Sequence, residues 1–196
     1  MVGIVLLMWL AFDASMDQGT LHTNVVVSGT PSVTSTMVAS AHPEANPCRI
    51  LEKKFTVRGE SLRGVVDPGA EVTALMDYYK CHDVARGDVI LYSYAGNADP
   101  LIKIVKAVPG DSFALRQVAG GHHLLINSEI THTSENAPYF LSNQAARLIS
   151  LYIRDYKGLI PADAYLILGN VDSGTVDSTR FGLVGRADIF GKVTKP

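Results

Sequence analysis

The chain has 196 residues, is 47% hydrophobic and carries a formal charge of −2. That length suits one main folded unit with a real core, and the lack of a basic excess argues against a nucleic-acid partner. The six histidines (His22, His42, His82, His122, His123 and His132) are scattered, and Cys48 and Cys81 stand without a CxxC or HExxH spacing, so neither a structural nor a catalytic metal is expected.

Residues 1–12, MVGIVLLMWLAF, are uncharged and apolar. A spanning helix needs about 20 such residues and a secretory signal needs a basic flank. The segment fits the end of a membrane anchor, a short signal-like run or a core element. No Lys or Arg follows it until Arg49, so nothing holds the next segment in the cytoplasm. The expectation is a truncated anchor with the rest of the chain on the extracytoplasmic face. Residues 13–47, rich in Ser, Thr, Ala, Gly and Pro, read as a spacer, with a boundary near Asn46-Pro47. In an oxidising compartment Cys48 and Cys81 could form a disulfide.

Residues 48–196 form a β-rich domain by pattern. Short apolar runs recur at 55–57 (FTV), 88–94 (DVILYSY), 101–108 (LIKIVKAV), 124–126 (LLI) and 164–168 (AYLIL), separated by Gly, Pro, Asn and Asp. One stretch, 142–156, reads as a helix: Ser142 can cap it, Leu148, Ile149, Tyr152, Ile153 and Tyr156 recur at helical spacing, and Gly158 can end it. The fold class is therefore mainly β, an antiparallel domain with one helical insertion behind an N-terminal apolar segment.

A serine nucleophile needs a neighbouring base and donors for an oxyanion. No serine here sits in a GxSxG elbow. A lysine serves as base when apolar surroundings lower its pKa. In LIKIVKAV, strand alternation puts Lys103 on one face with Leu101, Val105 and Ala107, and Lys106 on the other; Lys103 is the one expected to be desolvated. Pattern alone favours Lys103 on the solvated face of an edge strand and Ser61, in FTVRGESLRG, as a polar turn residue. The glycines around Ser61 let the backbone turn and approach a substrate closely.

Taken in order, these segments resemble the signal peptidase I family, the Ser/Lys endopeptidases that remove leader peptides on the outer face of a membrane. VRGESLRGVVDPG stands in the place of the family's Ser-Met-x-Pro-Thr-Leu segment, with Leu62 for Met and Gly64, Val65 and Val66 for Pro, Thr and Leu. KIVKAVPGDSF is similar to its lysine segment, a Lys followed six residues later by Pro-Gly-Asp. ARGDVILY at 85–92 and LLINSEI at 124–130 resemble further family strands. GNVDSGTVDSTRFGLVGRADIFGKV at 169–193 resembles its last block, with Asn170 where Asp is usual.

The resemblance implies Ser61 as nucleophile, Lys103 as general base and backbone N–H groups near Gly59 and Ser61 for the oxyanion, since Gly59 lacks the hydroxyl many relatives carry there. It also implies a supporting loop of Thr175, Asp177, Ser178 and Arg180, in which Thr175 or Ser178 offers the lysine a hydroxyl and Asp177 pairs with Arg180. Leader peptides of exported precursors and membrane lipid are the implied partners, with no cofactor. The alternatives are a leader peptidase dedicated to pilin or conjugation proteins, or an inactive β-rich binding relative in which Ser61 and Lys103 lie far apart.

Overall fold

The computed structural model describes residues 49–94 and 99–194. The apolar segment at 1–12, the spacer at 13–47 and Cys48 lie outside the described residues. No helix among the described residues is long and apolar enough to cross a membrane.

A seven-stranded antiparallel sheet is built from β1 (Leu51–Thr56), β2 (Glu71–Met76), β3 (Val89–Tyr92), β4 (Leu101–Ala107), β9 (Ala164–Leu168), β10 (Val184–Gly185) and β11 (Ile189–Thr194). Its order is β1-β2-β11-β3-β4-β9-β10, so the last strand of the chain is threaded between two early ones. The expected runs VILY, LIKIVKA and AYLIL are its central strands; VILY and AYLIL are buried along almost their whole length, and LIKIVKA is buried at four of its seven positions and half-buried at the rest. Continuous apolar runs of this kind are what strands covered on both faces require. The edge strand β1, LEKKFT, is exposed at every position but one; its two lysines suit an unpaired edge.

A second antiparallel sheet comprises β5 (Phe113–Val118), β6 (Gly121–Ile126), β7 (Glu129–Ile130) and β8 (Phe140–Leu141). Against it packs α1 (Asn143–Asp155), the expected helix. Ser142 Oγ accepts from Ala145 N at 3.3 Å, which caps it, and Ala146 and Ile149 are its buried residues. Gly158 follows the helix at φ +73°. Tyr152 of α1 rests on Gly182, where an added Cβ would fall 2.1 Å from the tyrosine hydroxyl; no larger residue fits.

The alternation expected along β4 holds only in part. The pairing with β9 slips between Val105 and Ala107, leaving Lys106 as the extra residue of a bulge. Val105 therefore joins the cluster of Ile90 and Ile167, whereas Ala107 joins the cluster of Phe113, Leu124 and Ile149. Lys106 is not on a solvated face either: it is half-buried, its ammonium donates to His132 O at 2.9 Å and it lies 5.1 Å from the centre of the Tyr139 ring.

The Pro-Gly-Asp that follows β4 has a structural account. Asp111, 7% exposed, accepts from Val108 N, Asn127 Nδ2 and the Arg86 guanidinium. Burial opposes its ionisation, yet these donors outweigh burial and hold its pKa below the usual carboxylate value.

Candidate active site

Ser61 lies in the turn that follows β1. Gly59 enters that turn at φ +76° with open space around it, a conformation that favours glycine. Val65 N and Val66 N both donate to Leu62 O at 2.9 Å, and Leu62, 1% exposed, anchors the turn in a core cluster with Val57, Leu91 and Ile104.

Lys103 reaches the same place from the middle of the sheet, opposite Ile90 of β3. It is 3% exposed, its Nζ lies 3.0 Å from Ser61 Oγ, and its other partner is Ile102 O at 2.9 Å. Burial among apolar side chains lowers its pKa to about 8, partly offset by the charge of Asp177. A lysine so tuned is half neutral near pH 8 and can take a proton from a hydroxyl it touches. Forty-two residues of sequence separate the pair, and the fold brings them into contact.

Both side chains open into one cavity of about 550 Å³, walled by residues 54–58 at the end of β1, by Leu62 and Leu91, and by residues 99–103 leading into β4. Arg58 and Asp99 form an ion pair at 3.2 Å across that space.

The last block of the sequence is arranged differently from expectation. Asp177 caps a short helix, α2 (Ser178–Phe181). Asp177 is fully buried and accepts from Gly169 N (3.0 Å), Thr175 Oγ1 (2.7 Å), Thr179 N (3.0 Å) and Thr179 Oγ1 (2.7 Å). With its oxygens spent on these donors, it makes no ion pair with Arg180, whose exposed side chain instead lines a cavity beside the start of α1. Neither hydroxyl expected to touch the lysine does so. Thr175 donates to Asp177, and Ser178 Oγ accepts from Ile167 N at 2.9 Å. The loop acts on Lys103 through the charge of Asp177.

Two residues in this block carry more of the geometry than the sequence pattern indicated. Gly169 leaves no room for a side chain: an added Cβ would sit 2.6 Å from Ser61 O and 2.5 Å from Thr175 Oγ1. Asn170, 7% exposed, donates its backbone N–H to Ser61 O at 2.6 Å. The signal for both was their place in the GNVD start of the block, which names the positions without revealing what they touch.

Among the described residues, no group of three or more His, Cys, Asp or Glu is placed to hold a metal ion. Cys81 is disulfide-bonded.

Comparison with known proteins places this geometry in context. Signal peptidase IB of Staphylococcus aureus strain Mu50 is 26% identical over 157 residues, covering 74% of this chain and 78% of its own, and the protein of strain N315 matches equally. A solved signal peptidase I from Enterococcus faecalis V583 superposes with a TM-score of 0.38 at 19% identity, over 58% of this chain and 98% of its own. The family model for signal peptidase, peptidase S26, matches residues 34–196, and the chain belongs to that family.

Proposed function

We propose that this protein is a membrane-associated serine endopeptidase that removes leader peptides from exported precursor proteins, with Ser61 as nucleophile and Lys103 as general base. The observation that carries the reading is the 3.0 Å contact between Ser61 Oγ and the buried amine of Lys103. The alternative of a binding relative with two incidental residues calls for their separation, and nothing in the geometry favours it.

In the reaction, neutral Lys103 accepts the hydroxyl proton as Ser61 Oγ bonds to the scissile carbonyl carbon. Backbone N–H groups near Gly59 and Ser61 hold the oxyanion. The ammonium then returns a proton to the departing amine nitrogen as the C–N bond breaks, leaving the acyl group on Ser61. Lys103, neutral again, takes a proton from water as its oxygen attacks the ester carbon, and gives that proton to Ser61 Oγ as the acyl C–O bond breaks, which restores both residues. Asp177 steadies the ammonium that forms twice in this cycle. The precursor lies extended along the wall at residues 54–58, an exposed strand edge suited to adding a peptide by backbone hydrogen bonds. The domain works on the extracytoplasmic face, tethered through residues 1–12.

The test is cleavage of a panel of leader-peptide precursors in lipid or detergent by wild type, Ser61→Ala and Lys103→Ala, each shown to be folded. Cleavage by wild type with loss in both variants supports the assignment. Cleavage by either variant at the wild-type rate overturns it.

A further inference from the structure

We propose that Asn170 is a positioning residue for the nucleophile: its backbone N–H and its carboxamide together fix the turn carrying Ser61, and the side chain must be an amide to do so. The proposal rests on the assignment of Ser61 as nucleophile.

Asn170 is 7% exposed and makes its contacts on two sides. Toward the nucleophile turn, its N–H donates to Ser61 O at 2.6 Å and its Nδ2 to Arg63 O at 2.7 Å. Toward the loop between β7 and β8, Nδ2 donates to Ser134 Oγ at 2.6 Å and Oδ1 accepts from Ser134 N at 2.9 Å. An amide nitrogen has two hydrogens, and two acceptors use them. The Ser61 turn is thus held at two carbonyls, one on the nucleophile itself, while the far side of the same side chain is locked to a second loop.

The close approach depends on missing side chains on both sides. Gly169 could not carry a Cβ, and a Cβ on Gly64 would lie 3.3 Å from Asn170 Nδ2 and 3.0 Å from Glu135 Oε1. Gly64 and Asn170 are two of the positions where this chain departs from the usual family residues, and a side chain at the first would press on the second. A carboxylate at 170 would have no hydrogen for Arg63 O and would set an anionic oxygen against that carbonyl, even if the Ser134 hydroxyl turned to donate to it. The charged neighbours make it worse. Glu60, Glu135 and Asp172 share the adjoining cavity of about 280 Å³ with Arg63, and Arg63 is already paired with Glu60. The substitution that restores the family's usual residue is therefore the damaging one in this protein.

The experiment compares Asn170→Asp and Ser134→Ala with wild type in precursor cleavage across pH 6 to 9, with thermal melting of each. A nucleophile displaced on the ångström scale costs up to about 10²-fold in rate. Asn170→Asp is expected to lose 10- to 100-fold in kcat at pH 8, on the order of that limit, with KM nearly unchanged because the walls at 54–58 and 99–103 are untouched. Ser134→Ala, which frees only one of the two hydrogens, is expected to lose a few-fold in kcat and nothing in KM. Wild-type kcat in Asn170→Asp, or a loss confined to KM, would overturn the proposal. If Asn170→Asp does not fold, an unchanged kcat in Ser134→Ala overturns it. Ser61→Ala and Lys103→Ala run alongside: activity in either overturns the assignment beneath the proposal, whereas inactive controls beside an unaffected Asn170→Asp overturn only the part given to Asn170.

Discussion

The two lysines of β4 stand three residues apart, and burial lowers the pKa of both. Their surroundings then diverge. Lys106, on the bulge, points its ammonium at a carbonyl oxygen and the face of Tyr139, groups that welcome a cation and have no proton to give. Lys103 faces the hydroxyl of Ser61, which does. Desolvation prepares an amine to act as a base, but it is the neighbour within hydrogen-bond reach that turns this into chemistry. The carboxylates divide in the same way. Asp111 is buried and multiply bonded with Arg86 as its charged partner, while Asp177, equally saturated, lies close enough to raise the pKa of Lys103.

The comparison can be broken most sharply on the strand itself. Lys103→Ala should lower kcat by about 10²–10⁴-fold, the usual worth of a general base. Lys106→Met should stay within a few-fold of wild type, since it gives up one hydrogen bond to a carbonyl outside the cavity. Steady-state kinetics on folded variants decide this, and equal losses in both would erase the distinction between them.

Asp177→Asn comes next. Its four donors would face an amide that can accept at only one oxygen, so the expected cost is about 2–4 kcal/mol of stability, read by denaturant unfolding. Removing the negative charge also removes what raises the lysine pKa. Any remaining activity should then have its rising limb, the one set by Lys103, displaced to lower pH; an upward displacement would contradict the place given to Asp177.

Lys103→Met sharpens the link between burial and stability. The free amine of an unfolded chain titrates near 10.5 and the folded one near 8. Between those values the unfolded state binds the extra proton, so wild-type stability rises with pH through about 8 to 10.5 and is lowest below 8. The full shift corresponds to at most about 3 kcal/mol. Lys103→Met should be more stable than wild type at pH 7 by up to that amount, and the difference should shrink toward pH 10.5. The smallest expected effect is Gly59→Ala. Nothing crowds its Cβ, so the cost is only that of a side chain at φ +76°, about 1 kcal/mol in thermal or denaturant unfolding.

Much of this was legible in the sequence because the site's central strands are continuous apolar runs: AYLIL at 164–168 is β9 residue for residue, and LIKIVKA is β4. The helix was legible through its cap and spacing. β2 and β11 were not, since EVTALM and IFGKVT gain their pairing from strands far away in sequence. The bulge at Lys106 was hidden too, as alternation carries no mark of an extra residue. In the last block Thr175, Ser178 and Arg180 meet partners other than those expected. Asp177 captures Thr175 locally and caps α2, a preference of Asp for nearby backbone N–H and hydroxyl groups that outcompetes the longer reach to Arg180. The contact of Asn170 with Ser61 and Arg63 spans more than a hundred residues, and no local pattern announces it.

The most direct test of the central claim is the pH dependence of kcat/KM for a cleaved precursor, wild type beside Lys106→Met. With Lys103 as the base, activity rises as pH increases through about 8, and the inflection is unmoved by the Lys106 change. An inflection near 6.5, the ordinary histidine value, or a profile that follows Lys106, would contradict it.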